Sequence, residues 1–399
     1  MKILHVIPYI PAPPNFGGAL RIWHLLKHFS AYHDVTVAGY CELGNLEYFK
    51  KSFPSLEGKM HLLNRKKAHY HRLVQFTTLF TPHSYWYNWA QSDEFQNLLN
   101  RILAGGDFDF VVFEFSAMGH FSLQTNAVRI VDAHNVEFEN FRRMSQLSWS
   151  PVRKVFYKRE FEKSRKEEIE IFRKQNAIFS TSEVDAGIIK KHAPEIPNFV
   201  IPNGVETAYF QPFGSMIEPY SMVFTGSMSY VPNHDGMYWF LEEVFPKIKK
   251  RIPEAVIYIV GNNPPPMLKK LQSESVIITG FVDDVRPFID KAQVYVVPLR
   301  MGSGTRLKIL EALSMKKPIV STSIGSEGIE VENESHLLIR DDTDAFAEAV
   351  IQLMNDVVTC NRLVSNGYDL VMQKYDWNII GHSVDEALKS LKSPKLEPA

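Results

Sequence analysis

The amino-acid sequence predicts an α/β protein made of two doubly wound, parallel-sheet domains, and three observations lead there. Short β-branched apolar runs alternate with longer amphipathic segments along the whole chain, the pattern of parallel sheets covered by helices on both faces. The 399 residues suffice for two domains that each bury a core. The alternation lapses near the middle, at the turn Ile201-Pro202-Asn203-Gly204-Val205-Glu206 and the proline-containing stretch Tyr209 to Pro219, where no periodicity survives.

Strands are expected in the first half at Lys2 to Ile7, Asp34 to Ala38, Phe110 to Phe113, Arg129 to Asp132, Ala177 to Thr181 and Phe199 to Ile201. In the second half they are expected at Met222 to Thr225, Ala255 to Val260, Val276 to Thr279, Val294 to Val297, Pro318 to Ser321 and His336 to Ile339. The domains then fall at residues 1–205 and 206–375. In the remainder, 376–399, Asp376 to Leu391 reads as a last helix and Ser393 to Ala399 as a frayed tail.

Composition narrows the function classes. With 45% hydrophobic and 22% charged residues the chain is of ordinary globular type, and its formal net charge of −1 gives no general attraction for nucleic acid. Cys41 and Cys360 lie in opposite halves without metal or redox spacing, which suits a reducing compartment. His5 and Pro8 interrupt the first apolar run before it reaches leader length, and no later run approaches a membrane span, so a cytoplasmic location is expected.

One segment departs from the alternation. Across Val152 to Lys174, Arg153, Lys154, Lys158, Arg159, Lys163, Arg165 and Lys166 interleave with Phe156, Tyr157, Phe161, Ile169 and Phe172, which makes a long basic amphipathic helix. As a helix covering the first sheet, it would pair Glu160, Glu162, Glu167, Glu168 and Glu170 with neighbouring cations. As a patch on anionic headgroups, it would act with Arg65-Lys66-Lys67-Ala68-His69-Tyr70-His71-Arg72 in peripheral contact with the inner membrane surface. The acids dilute the charge and favour the covering helix.

The most informative stretch is Val297-Pro298-Leu299-Arg300-Met301-Gly302-Ser303-Gly304-Thr305-Arg306-Leu307-Lys308-Ile309-Leu310-Glu311-Ala312. A strand runs into a glycine-punctuated turn and then a helix, whose unpaired N–H groups and positive dipole end favour anions. Gly302 and Gly304 let the backbone approach a ligand, Arg306 and Lys308 add cations, and Glu311 can accept from sugar hydroxyls. Phosphate at one end and polyol at the other describe a nucleotide sugar. The spacing fits neither a Walker loop nor a dinucleotide fingerprint.

Other strand exits carry related chemistry. Pro11 to Arg21 ends in Gly17-Gly18 at a helix start, with Arg21 expected on the first turn. After Arg129-Ile130-Val131 comes Asp132-Ala133-His134-Asn135, where the aspartate can hold the imidazole in one tautomer and offer it to a sugar hydroxyl. In the second half, backbone amides of Gly226 and Ser227 can grip a diphosphate, and Phe281 and Val282 can flank a nucleobase. Asp283-Asp284 reads as cap and first-turn acids of a helix from Val285 to Lys291 rather than as a metal site. No metal or other cofactor is expected, because Arg306, Lys308 and helix ends can neutralise a diphosphate.

With these residues assembled, the chain resembles the retaining GT-B glycosyltransferases, specifically glycosyltransferase family 4 of group 1, over nearly its whole length. The resemblance rests on Gly17-Gly18-Ala19-Leu20-Arg21, Asp132-Ala133-His134-Asn135, Ile201-Pro202-Asn203-Gly204-Val205-Glu206, Phe224-Thr225-Gly226-Ser227-Met228, Thr279-Gly280-Phe281-Val282 and Gly302 to Ala312, in this order. It implies two Rossmann-like domains facing across a cleft, with the last helix crossing back to the first domain. It implies a nucleotide-diphosphate sugar held by Gly226, Ser227, Phe281, Val282, Gly302, Ser303, Gly304, Thr305, Arg306, Lys308 and Glu311. It places the acceptor near Gly17, Gly18, Arg21, His134 and Asn135, with His134, Glu311 and Arg306 at the reaction. It also implies retention of anomeric configuration without a metal, by front-face attack, the departing diphosphate helping to deprotonate the incoming hydroxyl.

Two departures shape these expectations. The family commonly carries two glutamates seven residues apart, and the first position here is Ser303. The Arg and Lys usual after the first strand of the second domain have no counterpart in Gly226 to Asn233, so Arg306 and Lys308 are expected to take over the diphosphate. The expected activity is transfer of a hexosyl unit to a hydroxyl of a glycan or lipid-linked glycan in cell-surface or exopolysaccharide assembly. Tyr85-Trp86-Tyr87-Asn88-Trp89 and the basic helix suit such an acceptor, and equally suit a core. A nucleotide-sugar epimerase on the same scaffold and a catalytically silent nucleotide-sugar-binding partner remain the alternatives.

Overall fold

A computed structural model describes residues 1–14, 16–41, 45–65, 78, 81–147, 150–302 and 304–392. Ser303, Lys66 to Arg72 and the tail Ser393 to Ala399 lie outside the described residues. The chain divides into two compact units, Met1–Pro202 with Gly381–Ala399, and Asn203–Ile380.

In the first unit, β1 (Lys2–Ile7), β2 (Asp34–Cys41), β3 (Met60–Asn64), β4 (Phe110–Glu114), β5 (Val128–Ala133), β6 (Ala177–Ser180) and β7 (Asn198–Val200) form one sheet. The order is β3-β2-β1-β4-β5-β6-β7, and every pairing is parallel. Residues of β4 and β6 are buried throughout, and so are those of β1 after Lys2, which is why these strands read as unbroken apolar runs. β3 was not expected. It is an edge strand whose residues are only half-buried or exposed, so neither a continuous apolar run nor an alternation marks it.

In the second unit, β8 (Glu218–Thr225), β9 (Val256–Val260), β10 (Val276–Gly280), β11 (Ala292–Val297), β12 (Ile319–Ser321) and β13 (Leu338–Ile339) make a second parallel sheet. Its order is β10-β9-β8-β11-β12-β13. Each expected strand is present, with β2 and β8 running longer than expected. In both sheets the strand order reverses once, between β1 and β4 and between β8 and β11. Crevices outside the carboxyl ends of strands at such reversals are where doubly wound sheets bind ligands.

The basic segment forms one helix, Pro151–Arg173, started by Ser150, whose hydroxyl accepts from the Arg153 amide. Its acids do not simply pair with neighbouring cations. Glu168 accepts from the amides of Glu137 and Phe138 at 3.2 and 3.1 Å, Glu167 from that of Ser84, and Glu160 from that of Tyr85 at 2.7 Å. These carboxylates satisfy the open amide ends of the helices Glu137–Leu147 and Tyr85–Ala90, which places them inward. Ion pairs remain at Lys163–Glu160, 3.7 Å, and Lys174–Glu170, 3.3 Å. The last helix is Trp377–Lys392. Among the described residues no helix is long and apolar enough to cross a membrane.

Candidate functional site

At the β1/β4 reversal the sheet carries ionisable residues that would be costly to bury singly. His5, Glu114 and Asp132 are fully buried, and His134, just past β5, is 5% exposed. Glu114 Oε1 lies 2.5 Å from His5 Nε2, and its Oε2 lies 2.6 Å from His134 Nε2. Burial pushes the Glu114 carboxyl up, but the hydrogen bonds and charge of His134 and His5 outweigh it and hold the group well below the usual carboxylate range. An ionised carboxylate only accepts, so both rings donate from Nε2.

Asp132 was expected to orient His134. It does not: Asp132 Oδ2 is 3.7 Å from His134 Nε2, too far for a hydrogen bond, and Glu114 takes that role. Both Asp132 oxygens accept from Arg21, at 2.7 Å each. Arg21 is the fifth residue of the helix Gly17–Tyr32, past the expected first turn, and its 1% exposure marks it as a buried brace that also donates to the Pro202 carbonyl at 3.1 Å. Glu114, Asp132 and His134 stand close enough to share a metal ion, but their oxygens are already committed to Arg21 and the two imidazoles.

Position 18 leaves little room for a side chain. A Cβ there would lie 2.8 Å from Tyr9 Oη and 2.9 Å from Phe115 Cζ, and 3.5 Å from His134 Nδ1. Phe115 holds φ 67° and ψ 141°, a conformation strained for any residue with a side chain, and its ring stacks on His134 with centroids 3.9 Å apart. Tyr9 Oη and His134 Nδ1 are buried without a hydrogen-bond partner among the described residues. Unsatisfied polar atoms converging on a glycine are suited to a hydroxyl-rich ligand. Gly17 is exposed and Asn135 half-buried, and Asn135 hydrogen-bonds Glu137, whose carboxyl burial pushes up to about 7.

At the β8/β11 reversal two of the residues expected to hold the donor, Gly226 and Lys308, come together. Gly226 immediately follows β8 with φ +145°, and a Cβ on it would lie 2.9 Å from Lys308 Nζ and 2.8 Å from Asn233 Nδ2. Lys308 Nζ donates to Asn233 Oδ1 at 2.9 Å and lies 3.9 Å over the Phe224 ring, while Asn233 Nδ2 donates to the Ser227 carbonyl at 2.8 Å. The Gly226 amide differs from expectation: it donates to the Val260 carbonyl at 2.9 Å and so is occupied by the sheet.

Gly302 and Gly304, with φ +117° and +79°, occupy backbone conformations that favour glycine. A Cβ on Gly302 would meet Arg306 Nη2 at 2.9 Å, so the guanidinium rests against the turn, with Nε donating to the Ile324 carbonyl at 3.3 Å. Arg306 is the N-cap of the helix Leu307–Ser314, on which Lys308 and Glu311 sit one turn apart. Burial, and then the charge of Arg306, pull Lys308 down to about 7, and burial pushes Glu311 up to about 7. Thr305 Oγ1 and Asn262 Oδ1 are buried without a partner among the described residues. Phe281 is 73% exposed, Val282 is half-buried against the core, and Asp284 accepts from the Arg286 amide at 2.9 Å as a helix-start acid should.

Sequence reasoning missed His5, Glu114 and Asn233. His5 reads as an interruption of an apolar strand and Glu114 as the end of one. Their signal is the pairing of strands: His5 aligns with Val112 and Glu114 with Asp132, which brings these three ionisable residues together on neighbouring strands.

Residues 219–356 match the family model for Glycosyl transferases group 1. A protein of Klebsiella pneumoniae, "Uncharacterized 44.6 kDa protein in cps region", is 26% identical over 165 residues, which cover 39% of this chain and 42% of that protein. UDP-Gal:alpha-D-GlcNAc-diphosphoundecaprenol alpha-1,3-galactosyltransferase of Escherichia coli is 26% identical over 198 residues, 43% of this chain and 50% of that enzyme. The matches thus span half or less of these relatives' own lengths. Among solved structures, sucrose-phosphate synthase from Thermosynechococcus elongatus superposes with a TM-score of 0.71 at 14% identity, covering 98% of this chain and 99% of the other. The chain thus has the GT-B glycosyltransferase fold, and its residues 219–356 match the glycosyl transferases group 1 model.

Proposed function

We propose that the protein is a retaining, metal-independent hexosyltransferase that moves a sugar from a nucleotide diphosphate to a hydroxyl of a glycan or lipid-linked glycan. The observation that carries this reading is the β8/β11 reversal, where Lys308 and Arg306 are held against Gly226 and Gly302. Two cations beside backbone that a side chain would block suit a diphosphate, and they supply the positive charge that the leaving group needs. Glu311 accepts from ribose or sugar hydroxyls once ionised. The unsatisfied Tyr9 Oη and His134 Nδ1 suit acceptor hydroxyls in the first unit.

The outer face of the Pro151–Arg173 helix supports contact with an anionic membrane surface. Arg153, Lys154, Lys158, Arg159, Arg165 and Lys166 are exposed there, alongside the exposed Val152 and Val155. Because the E. coli relative is named for UDP-Gal, uridine diphosphate sugars are the first probes.

The full chain is screened by thermal shift against nucleotide sugars, and the best binder is then incubated with glycan or lipid-diphosphate acceptors while released nucleotide is measured. Acceptor-dependent release with retained anomeric configuration is expected. Donor converted to an isomeric nucleotide sugar without acceptor would indicate an epimerase, and binding with no turnover under any acceptor a silent partner. A chain that binds no nucleotide sugar refutes the reading.

A further inference from the structure

Away from both strand-order reversals, three metal-ligand side chains of the first unit converge. His28 lies on the last turns of the helix Gly17–Tyr32, His33 immediately follows it, and Asp385 is on the last helix. His28 Nε2 and His33 Nε2 approach the same oxygen, Asp385 Oδ1, at 3.1 and 2.8 Å. Their side chains are at least nine-tenths buried, and that of Asp385 is 17% exposed. The three donor atoms all lie within 4.8 Å of one another.

We propose that His28, His33 and Asp385 form a binding site for a zinc-class transition-metal ion that staples the last helix to the Gly17–Tyr32 helix. Two imidazole nitrogens and one carboxylate oxygen are a donor set that Zn²⁺ and its neighbours favour. Around a tetrahedral ion with bonds of ~2.0–2.1 Å the donor atoms stand roughly 3.3 Å apart, so an ion entering this cluster spreads the two measured contacts by only a few tenths of an ångström. A plain hydrogen-bonded tie accounts for His33, which bonds Asp385 Oδ1 with good geometry. It accounts less well for His28, whose buried Nε2 lies 3.1 Å from the same oxygen but outside good hydrogen-bond geometry, so that one carboxylate oxygen faces two imidazole nitrogens. A metal bond satisfies that nitrogen.

Two features of the last helix fit the assignment. Gly381 lies one turn before Asp385, and a Cβ on it would collide with the His28 ring, so glycine is what admits the imidazole to this face. His382, three residues before Asp385 on the same helix, sets its ring centroid 6.5 Å from that of His28 and adds a further imidazole beside the cluster, while water would complete the coordination. The ion would join residues far apart in sequence, and the helix it clamps is the one that presents Gly18 and Arg21 at the first site.

The test uses the full chain, stripped with chelator and titrated with Co²⁺ and then Zn²⁺. About one equivalent of Co²⁺ should bind with the intense visible absorption of a four-coordinate site, Zn²⁺ should displace it, and Zn²⁺ should raise Tm. His33→Ala and the shape-preserving Asp385→Asn should each weaken binding by more than about tenfold. Gly381→Ala, which removes no ligand, should weaken it too by displacing His28, while His61→Ala should leave it unchanged. Wild-type affinity in folded His33→Ala and Asp385→Asn proteins, absorption of the weak six-coordinate type, or the absence of saturable binding in the wild type each overturns the proposal.

Discussion

Replacing Glu114 by Gln tests whether the buried network at the β1/β4 reversal is held together by one carboxylate. The change keeps the shape and one acceptor oxygen. It converts the other oxygen into an NH₂ group that faces an imidazole Nε2–H, so one charge-assisted bond becomes a donor–donor conflict inside a fully buried cluster. Hydrogen bonds to charged groups contribute ~1.5–3 kcal/mol, and breaking a buried pair costs ~3–5 kcal/mol, so a loss of about 3 kcal/mol is expected. For a unit of this length that corresponds to a fall in Tm of roughly 6–12 °C. Because the Glu114 carboxyl is held well below its unfolded value, its contribution is present above the unfolded carboxylate range and is lost as pH falls toward the folded value. Scanning calorimetry on the wild type and Glu114→Gln between neutral and acid pH should therefore show the Tm gap narrow below about pH 4. A gap under about 2 °C at neutral pH, or one that stays constant on acidification, refutes the reasoning.

Arg306→Ala should lower turnover with the identified donor by ~10²–10³, measured as nucleotide release, since a stabilising donor to the leaving group is lost; full turnover would remove Arg306 from the reaction. Free Lys308 loses its proton as pH rises through about 7, and the diphosphate restores it. Donor affinity measured by calorimetry should then fall by up to about tenfold per pH unit above neutrality with uptake of a proton, and Lys308→Arg should abolish that slope; a slope unchanged in Lys308→Arg speaks against the assignment. Gly226→Ala places a methyl against Lys308 Nζ and Asn233 Nδ2 at a φ that disfavours it, so donor binding should weaken and the fold lose ~1–3 kcal/mol. Reversing Arg153, Lys154 and Lys158 to Glu should abolish salt-sensitive sedimentation with anionic phospholipid vesicles while leaving donor binding intact; unchanged sedimentation would deny that face the role.

The two sheets were legible because their central strands are buried on both faces, and burial on both faces writes itself as continuous apolar runs. β3 escaped because an edge strand needs no such run. The Gly302 to Glu311 segment was legible because strand, turn, cations and helix are contiguous, so local spacing carries the chemistry. Lys308 meets Asn233 and Phe224 only through the neighbouring placement of β8 and β11, which local spacing does not encode.

The partners of Asp132 and Glu114 show where a local reading goes astray. Asp132 and His134 are two residues apart at a strand end, and proximity in sequence invites pairing them. In a strand, however, alternate residues point to one face only while the strand continues, and His134 lies beyond β5, where the chain has turned. The register instead sets Asp132 opposite Glu114, two carboxylates side by side at the sheet edge. Like charges at that separation are tolerable only if each has its own cation or donor set, and the fold supplies them separately: Arg21 from the helix for Asp132, and imidazoles from β1 and from the end of β5 for Glu114. Arg21 is buried because it answers that charge. His134 commits Nε2 to Glu114 and keeps Nδ1 on the side of Gly18, buried and without a partner among the described residues.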